Sequence, residues 1–121
     1  MSRTALIVDD AASIRRMVAF TLSQAGFDVV EAENGKHALE QLEGRRVDIV
    51  ITDLNMPVMD GITLVREIRN RTATKFTPVL LLTTESQLEK KQQGKAAGAT
   101  GWIVKPFQPD KLLETIGRVL P

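Results

Sequence analysis

Hydrophobic residues along this chain follow two alternating rhythms. Short continuous runs (Ala5–Val8, Val29-Val30, Val47–Thr52, Val79–Thr83 and Gly101–Val104) alternate with stretches where apolar residues recur every three or four positions. Continuous runs rich in β-branched residues mark strands buried on both faces, and the longer spacing marks amphipathic helices. The alternation therefore predicts a parallel sheet covered on both sides. Ser13 is read as the N-cap of a first helix, whose stripe is Ile14, Met17, Val18 and Leu22 and which stops near Gly26. Asn34 opens a second helix, carrying Ala38, Leu39 and Leu42 and ended by Gly44. Gly61 precedes a third with Ile62, Val65 and Ile68, and Pro109 opens the last with Leu112, Leu113, Ile116 and Val119. Five βα units fill the chain, with no fixed-period repeat, linker or low-complexity segment.

The stretch between Glu85 and Gly98 departs from this pattern. It is mostly Gln, Glu and Lys, with only Leu88, Ala96 and Ala97 to bury. So thin an apolar stripe is weakly held by a core. Two readings stay open: a solvated surface helix, or an element of low local stability because it must move.

Four of the five apolar runs lead into a residue able to handle phosphate or a divalent cation. They end at Asp9-Asp10, at Asp53, at Thr83 and at Lys105-Pro106. Parallel strands bring these ends to one edge, the edge where open α/β sheets bind ligands. The run ending near Glu31 lacks such a group and is expected at the side of the sheet. Two carboxylates about 4 Å apart repel by roughly 4 kcal/mol at an effective dielectric of 20. Asp9, Asp10 and Asp53 thus need raised pKa values or a bound cation. All-oxygen donors without His or Cys favour a hard ion such as Mg²⁺. A carboxylate between a divalent cation and Lys105 is set up to attack phosphorus, forming an aspartyl phosphate. Thr83 could donate a hydroxyl hydrogen bond to the transferred group.

Composition narrows the partners. A length of 121 residues suits one domain and allows roughly 65% of the unfolded surface to be buried. Sixteen basic and fifteen acidic residues leave a charge of +1, which gives no reason to expect a nucleic-acid or membrane-surface partner. Cysteine is absent, so thiolate metal sites are excluded and a reducing compartment fits. The apolar runs are too short to span a bilayer. Met1-Ser2-Arg3-Thr4 enters a strand at once, without room for a signal peptide, and a cytoplasmic location is expected.

Val8-Asp9-Asp10, Asp53-Leu54-Asn55-Met56-Pro57 with Asp60-Gly61, Leu82-Thr83-Thr84-Glu85, and Gly98-Ala99 through Lys105-Pro106-Phe107 resemble the receiver domain of two-component response regulators. The resemblance covers the whole chain, in order and at family spacing. It is strongest to the stand-alone chemotaxis regulators, since the expectation is one receiver over residues 1–121 with no output domain. It implies a flavodoxin-like (βα)5 fold with strand order 2-1-3-4-5. It further implies that Asp53 is the phosphoacceptor and that Asp10 is the principal Mg²⁺ carboxylate. Asp9 would help mainly through water, and Asp53 and the backbone carbonyl of Asn55 would be further ligands. Thr83 and Lys105 match the phosphate-sensing hydroxyl and lysine. Thr84 is the neighbouring candidate, and the family pattern selects Thr83.

Trp102 matches the family's switch aromatic, usually Tyr or Phe, which turns inward when the threonine moves. Asn55 and Glu85 match positions that tune phosphoryl lifetime, and the Lys105-Pro106 bond resembles one that is usually cis. His37, the only histidine, is expected to be solvated. Implied partners are a histidine kinase, a flagellar motor switch protein or other output protein, and a phosphatase, with the chain itself a monomer. The domain would be a regulatory phosphoacceptor that assists its own phosphorylation and dephosphorylation, not an enzyme. A phosphate sink or phosphorelay intermediate is the alternative role. A haloacid-dehalogenase-like phosphatase would need Asp-x-Asp after the first strand and room for a cap, whereas this chain has Asp9-Asp10-Ala11. A flavin carrier would need amides, hydroxyls or Gly there. A DNA-binding regulator would need a further helical domain.

Overall fold

In the computed structural model, residues 3–120 are described, except for the side chains of Glu85 and Leu88. Five strands, β1 (Thr4–Val8), β2 (Asp28–Ala32), β3 (Ile49–Asp53), β4 (Val79–Thr84) and β5 (Gly101–Lys105), form one sheet. All four pairings are parallel, in the order β2-β1-β3-β4-β5. The helices between them are α1 (Ala12–Gln24), α2 (Gly35–Leu42), α3 (Gly61–Arg69), α4 (Lys91–Ala97) and α5 (Pro109–Val119). This is the doubly wound α/β architecture with the strand order that the resemblance implied. Each parallel crossover is carried by a helix, as parallel pairing requires.

Side chains alternate along each strand, so every central strand feeds two cores. Leu6, Val8, Val50 and Leu81 pack with Ala38, Leu42, Leu64 and Ile68 on the α2–α3 side. Ala5, Ile7, Ile51 and Leu82 pack with Val18, Leu22, Leu112 and Ile116 on the α1–α5 side. Complete burial of each such aliphatic side chain contributes about 1.5–3 kcal/mol. The register pairs Val8 with Thr52, Asp53 with Leu82, and Thr84 with Lys105. The carboxyl ends of β1, β3, β4 and β5 are therefore nearly level, and the residues just beyond them share one edge. Strand β2, which ends without a phosphate- or cation-binding group, is at the side of the sheet as expected.

Several local expectations change. Ser13 is inside α1 and is not its cap; the cap is Ala11, which makes no side-chain bond. The helix starts earlier because the Asp9 carboxylate accepts the Ala11 N–H at 2.9 Å and turns the chain there. Met17 is half-exposed and Val18, Ala19, Thr21 and Leu22 form the buried face, one position round from the expected stripe. Val47 is buried but precedes β3, which instead extends through Asp53. Asn34 does cap α2, accepting the His37 N–H at 2.8 Å. His37 is not simply solvated: its Nδ1 accepts the Glu33 N–H at 3.2 Å, and it is half-buried. The weak stretch after β4 splits into a 3-10 helix over Glu85–Lys90 and the seven-residue α4, in which Gly94 is the buried residue. Ala96 is exposed and Ala97 only half-buried, and the Leu88 side chain lies outside the described residues. No helix among the described residues is long and apolar enough to cross a membrane.

Candidate functional site

Asp53 closes β3 and is held from three sides. Its Oδ1 accepts the Leu54 N–H at 2.9 Å and the Lys105 Nζ at 3.0 Å. The third constraint is behind it, where Gly61 opens α3. A methyl group on Gly61 would stand 2.4 Å from the Asp53 carbonyl oxygen and 3.0 Å from Leu54 Cα, so only glycine fits. The Gly61 N–H in turn donates to the Leu54 carbonyl at 2.8 Å, tying the loop after β3 to the start of α3.

Asp9 is completely buried. Its N–H donates to Ala32 O at 3.1 Å, its Oδ1 accepts from Ala11, and its Oδ2 lies 3.4 Å from Lys105 Nζ. Asp10, next in the chain, is exposed. One carboxylate oxygen from each of Asp9, Asp10 and Asp53 lies within 4.8 Å of the others. Lys105 belongs to β5, so its chain reaches across the end of β4 to bridge Asp9 and Asp53. Burial raises the Asp53 pKa above its ordinary value; the Lys105 bond opposes this, nearby Asp9 adds to it, and the Lys105 charge and the Leu54 N–H oppose it. The site is thus a crowded, partly dehydrated carboxylate cluster with one ammonium inside it.

Such a donor set fits a small, hard dication. Three carboxylates with no imidazole or thiolate supply oxygen ligands alone, and the exposed Asp10 leaves a face for water. Asn55, two residues beyond Asp53, is exposed at the same loop. Cavity size does not mark this place. A cavity of about 780 Å³ lies instead among Arg3, Val47, Pro78 and Leu120, at the opposite ends of the strands.

The two neighbouring threonines, of which the resemblance selected Thr83, differ in their surroundings. Thr83 is buried and its Oγ1 has no hydrogen-bond partner among the described residues. Thr84 lies nearer the surface, with its Oγ1 2.9 Å from Ser86 Oγ. Trp102 is half-buried against the α2–α3 core, and Lys91 Nζ sits 4.6 Å from the centre of its ring. The Lys105-Pro106 bond is cis. Every sequence-derived site residue therefore belongs to this edge or to the strands bordering it. One participant was missed: Arg15 of α1 donates to the Asp9 carbonyl at 2.7 Å. The only signal for it was a basic residue in the helix directly after Asp9-Asp10.

Comparison with known proteins places the fold that carries this cluster in a family. The model of the response regulator receiver domain matches residues 5–117. The chain belongs to the receiver domain family. Over 117 residues, it is 40% identical to chemotaxis protein CheY1 of Helicobacter pylori, covering 95% of this chain and 94% of that protein. The structure of the chemotaxis response regulator CheY4 of Vibrio cholerae superposes with a TM-score of 0.94 at 52% identity, covering 99% of this chain and all of that one. The receiver domain of the sensor histidine kinase PA1611 of Pseudomonas aeruginosa superposes with a TM-score of 0.89 at 25% identity, covering 98% of this chain and 97% of that one. That structure has a magnesium ion coordinated in its active-site cleft. Receiver domains are regulatory phosphoacceptors that bind Mg²⁺ at an acidic pocket and work with histidine kinases and output proteins.

Proposed function

We propose that this chain is a single-domain response regulator of the cytoplasm, acting in chemotaxis as a phosphorylation-controlled binding module. The observation that carries the proposal is the buried Asp53 carboxylate held by Lys105 beside Asp9 and Asp10, one strand from an unsatisfied threonine hydroxyl. Asp53 accepts the phosphoryl group from a histidine kinase: an Asp53 carboxylate oxygen forms the new P–O bond as the P–N bond to the histidine breaks. Asp10, Asp53 and the Asn55 carbonyl would hold the Mg²⁺, with Asp9 helping mainly through water. When bound, Mg²⁺ offsets negative charge on the transferring group. Lys105 does the same from the other side, and its tether to Asp9 keeps it in place before transfer. Hydrolysis of the same bond, assisted by this site or by a phosphatase, resets the domain.

The phosphoryl group adds about −1.5 to −2 charge and three acceptors. Lys105, already 3.0 Å from the Asp53 carboxylate, and Thr83, near the end of the neighbouring strand, are the side-chain donors proposed to answer it. A switch from 1:99 to 99:1 needs about 5.5 kcal/mol of differential stabilisation. Charge-assisted hydrogen bonds supply about 1.5–3 kcal/mol each, and Thr83 also regains the cost of a buried unmet hydroxyl, about 1–3 kcal/mol. Drawing Thr83 toward Asp53 vacates space beside Trp102, whose inward turn would reshape the surface of α4, β5 and α5. That surface then binds the output partner, a flagellar motor switch protein in the chemotaxis reading.

The test adds a small-molecule phosphodonor and Mg²⁺ and follows intact mass together with fluorescence of the lone indole. One phosphoryl increment is expected, abolished in Asp53→Asn and suppressed by EDTA. Its persistence in Asp53→Asn contradicts the assignment. Partner binding indifferent to phosphorylation would leave the chemistry but remove the switch.

A further inference from the structure

We propose that Arg15, on the first turn of α1, is a positioning residue that holds the Asp9-Asp10 turn in the shape that binds Mg²⁺. This rests on the proposed function and extends it to a residue outside the acid cluster. The Arg15 side chain is 15% exposed and uses two separate nitrogens. Its Nη1 donates to the Asp9 carbonyl oxygen at 2.7 Å, and its Nε donates to Glu31 Oε1 at 2.9 Å.

The position of these bonds gives them their consequence. The Asp9 carbonyl belongs to the peptide unit whose nitrogen is that of Asp10. Fixing that oxygen fixes the peptide plane, and the plane sets the direction in which Asp10 projects. Asp10 is exposed, so its aim depends on the backbone more than on packing. Asp9 itself is already fixed at its N–H by Ala32 and at its carboxylate by Ala11 and Lys105. Arg15 supplies the one remaining constraint, at the carbonyl. Glu31, at the end of β2, holds the guanidinium against this turn and so links the side strand to the site. The planar fork can serve both acceptors at once, whereas an ammonium at the end of a flexible stem reaches them poorly.

A purely electrostatic role predicts the opposite outcome, which makes the inference decidable. Arg15 is a cation close to a site for a dication, so its charge alone weakens Mg²⁺ binding. Removing it should tighten binding if charge is all that matters. Positioning predicts the reverse, because losing an outer partner of a metal site typically costs 10–100-fold in affinity.

The experiment is calorimetric titration of the full chain with Mg²⁺ at pH 7, alongside the Mg²⁺ dependence of phosphorylation by a small phosphodonor. Arg15→Met should raise the Kd about 10-fold or more. Arg15→Lys keeps the charge and should still raise it several-fold. Arg16→Met, an equal charge change at an exposed neighbour on α1, should leave the Kd unchanged or slightly lower. For both Arg15 variants the deficit should appear as a higher Mg²⁺ concentration for half-maximal rate, recovered near saturation. An unchanged or lower Kd in Arg15→Met, or equal weakening in Arg16→Met, overturns the inference. Should Arg15→Met melt before titration, Arg15→Lys decides, since an unchanged Kd there overturns it equally. If the unmodified chain binds no Mg²⁺, the functional reading and this inference fail together. Normal binding that is insensitive to Arg15 defeats the inference alone.

Discussion

Thr52, one residue from the end of β3, and Thr83, one residue from the end of β4, are both buried on adjacent strands. Thr52 donates its hydroxyl to the Asp53 carbonyl at 3.0 Å, whereas Thr83 Oγ1 has no partner. The difference extends to the helices beyond these strands. Strand β3 leads to α3, nine residues capped by Asp60 at 2.8 Å, with five of them buried. Strand β4 leads to a 3-10 turn and to α4, seven residues with no side-chain cap and Gly94 buried. One wall of the site is thus well bonded and well anchored, and it carries Asp53, the proposed phosphoacceptor. The other wall holds an unmet hydroxyl and a weakly anchored helix. Chemistry needs a fixed nucleophile, while signalling needs a neighbour that moves at low cost. The two halves of one edge divide those demands between them.

The largest test of this contrast uses the two glycines that open onto these walls. Gly61→Ala forces a Cβ against backbone at 2.4 Å and should destabilise by about 2–3 kcal/mol in urea unfolding, with slower phosphorylation. Gly94→Ala meets only the Leu81 Cδ1 at 2.7 Å, a movable side-chain end, and replaces a poor helix former. Its expected effect is below about 1 kcal/mol. Equal losses at both positions would remove the distinction between a rigid and a yielding wall.

Next in size is the pH dependence of the fixed wall. Asp53 has a folded-state pKa above 3.8, chiefly from burial. Between 3.8 and that raised value the folded chain holds more protons than the unfolded one. Stability therefore falls as pH rises through this window, with a slope no steeper than about 1.4 kcal/mol per pH unit for one group. Asp53→Asn should flatten that segment of the profile and raise the melting temperature at pH 7. Mg²⁺ should do the same for the unmodified chain but not for the variant. A melting temperature at pH 7 that is lower in Asp53→Asn would contradict the burial penalty.

The finest test is the threonine pair itself. Thr52→Val removes a made hydrogen bond and should cost about 1 kcal/mol. Thr83→Val removes an unmet hydroxyl and should be neutral or stabilising by about 1 kcal/mol, while weakening the fluorescence response to phosphorylation. Opposite signs in paired unfolding curves support the comparison. Matching signs would break it.

Strands, helices and the edge at which Asp9, Asp10, Asp53, Thr83 and Lys105 meet could be read from the chain, because they stem from local rhythm and from the residue at the end of each apolar run. Asn34 as a cap was legible for the same reason: capping involves residues three apart. Ser13 was misplaced because the Asp9 carboxylate, not a hydroxyl, turns the chain at Ala11. The family pattern already selected Thr83 over Thr84; the structure added that the Thr83 hydroxyl is buried without a partner whereas that of Thr84 pairs with Ser86. Lys105 contacts Asp9 across 96 positions of sequence, and Arg15 reaches Glu31 across 16. Periodicity is silent about such pairs, because it reports which face a residue occupies and not which distant atom lies opposite. The sequence alone determined the sheet, its edge and the kinds of group gathered there. Only the tertiary structure decided which bonds those groups make and which one is left unmade, since that depends on how the strands align and how far each side chain can reach.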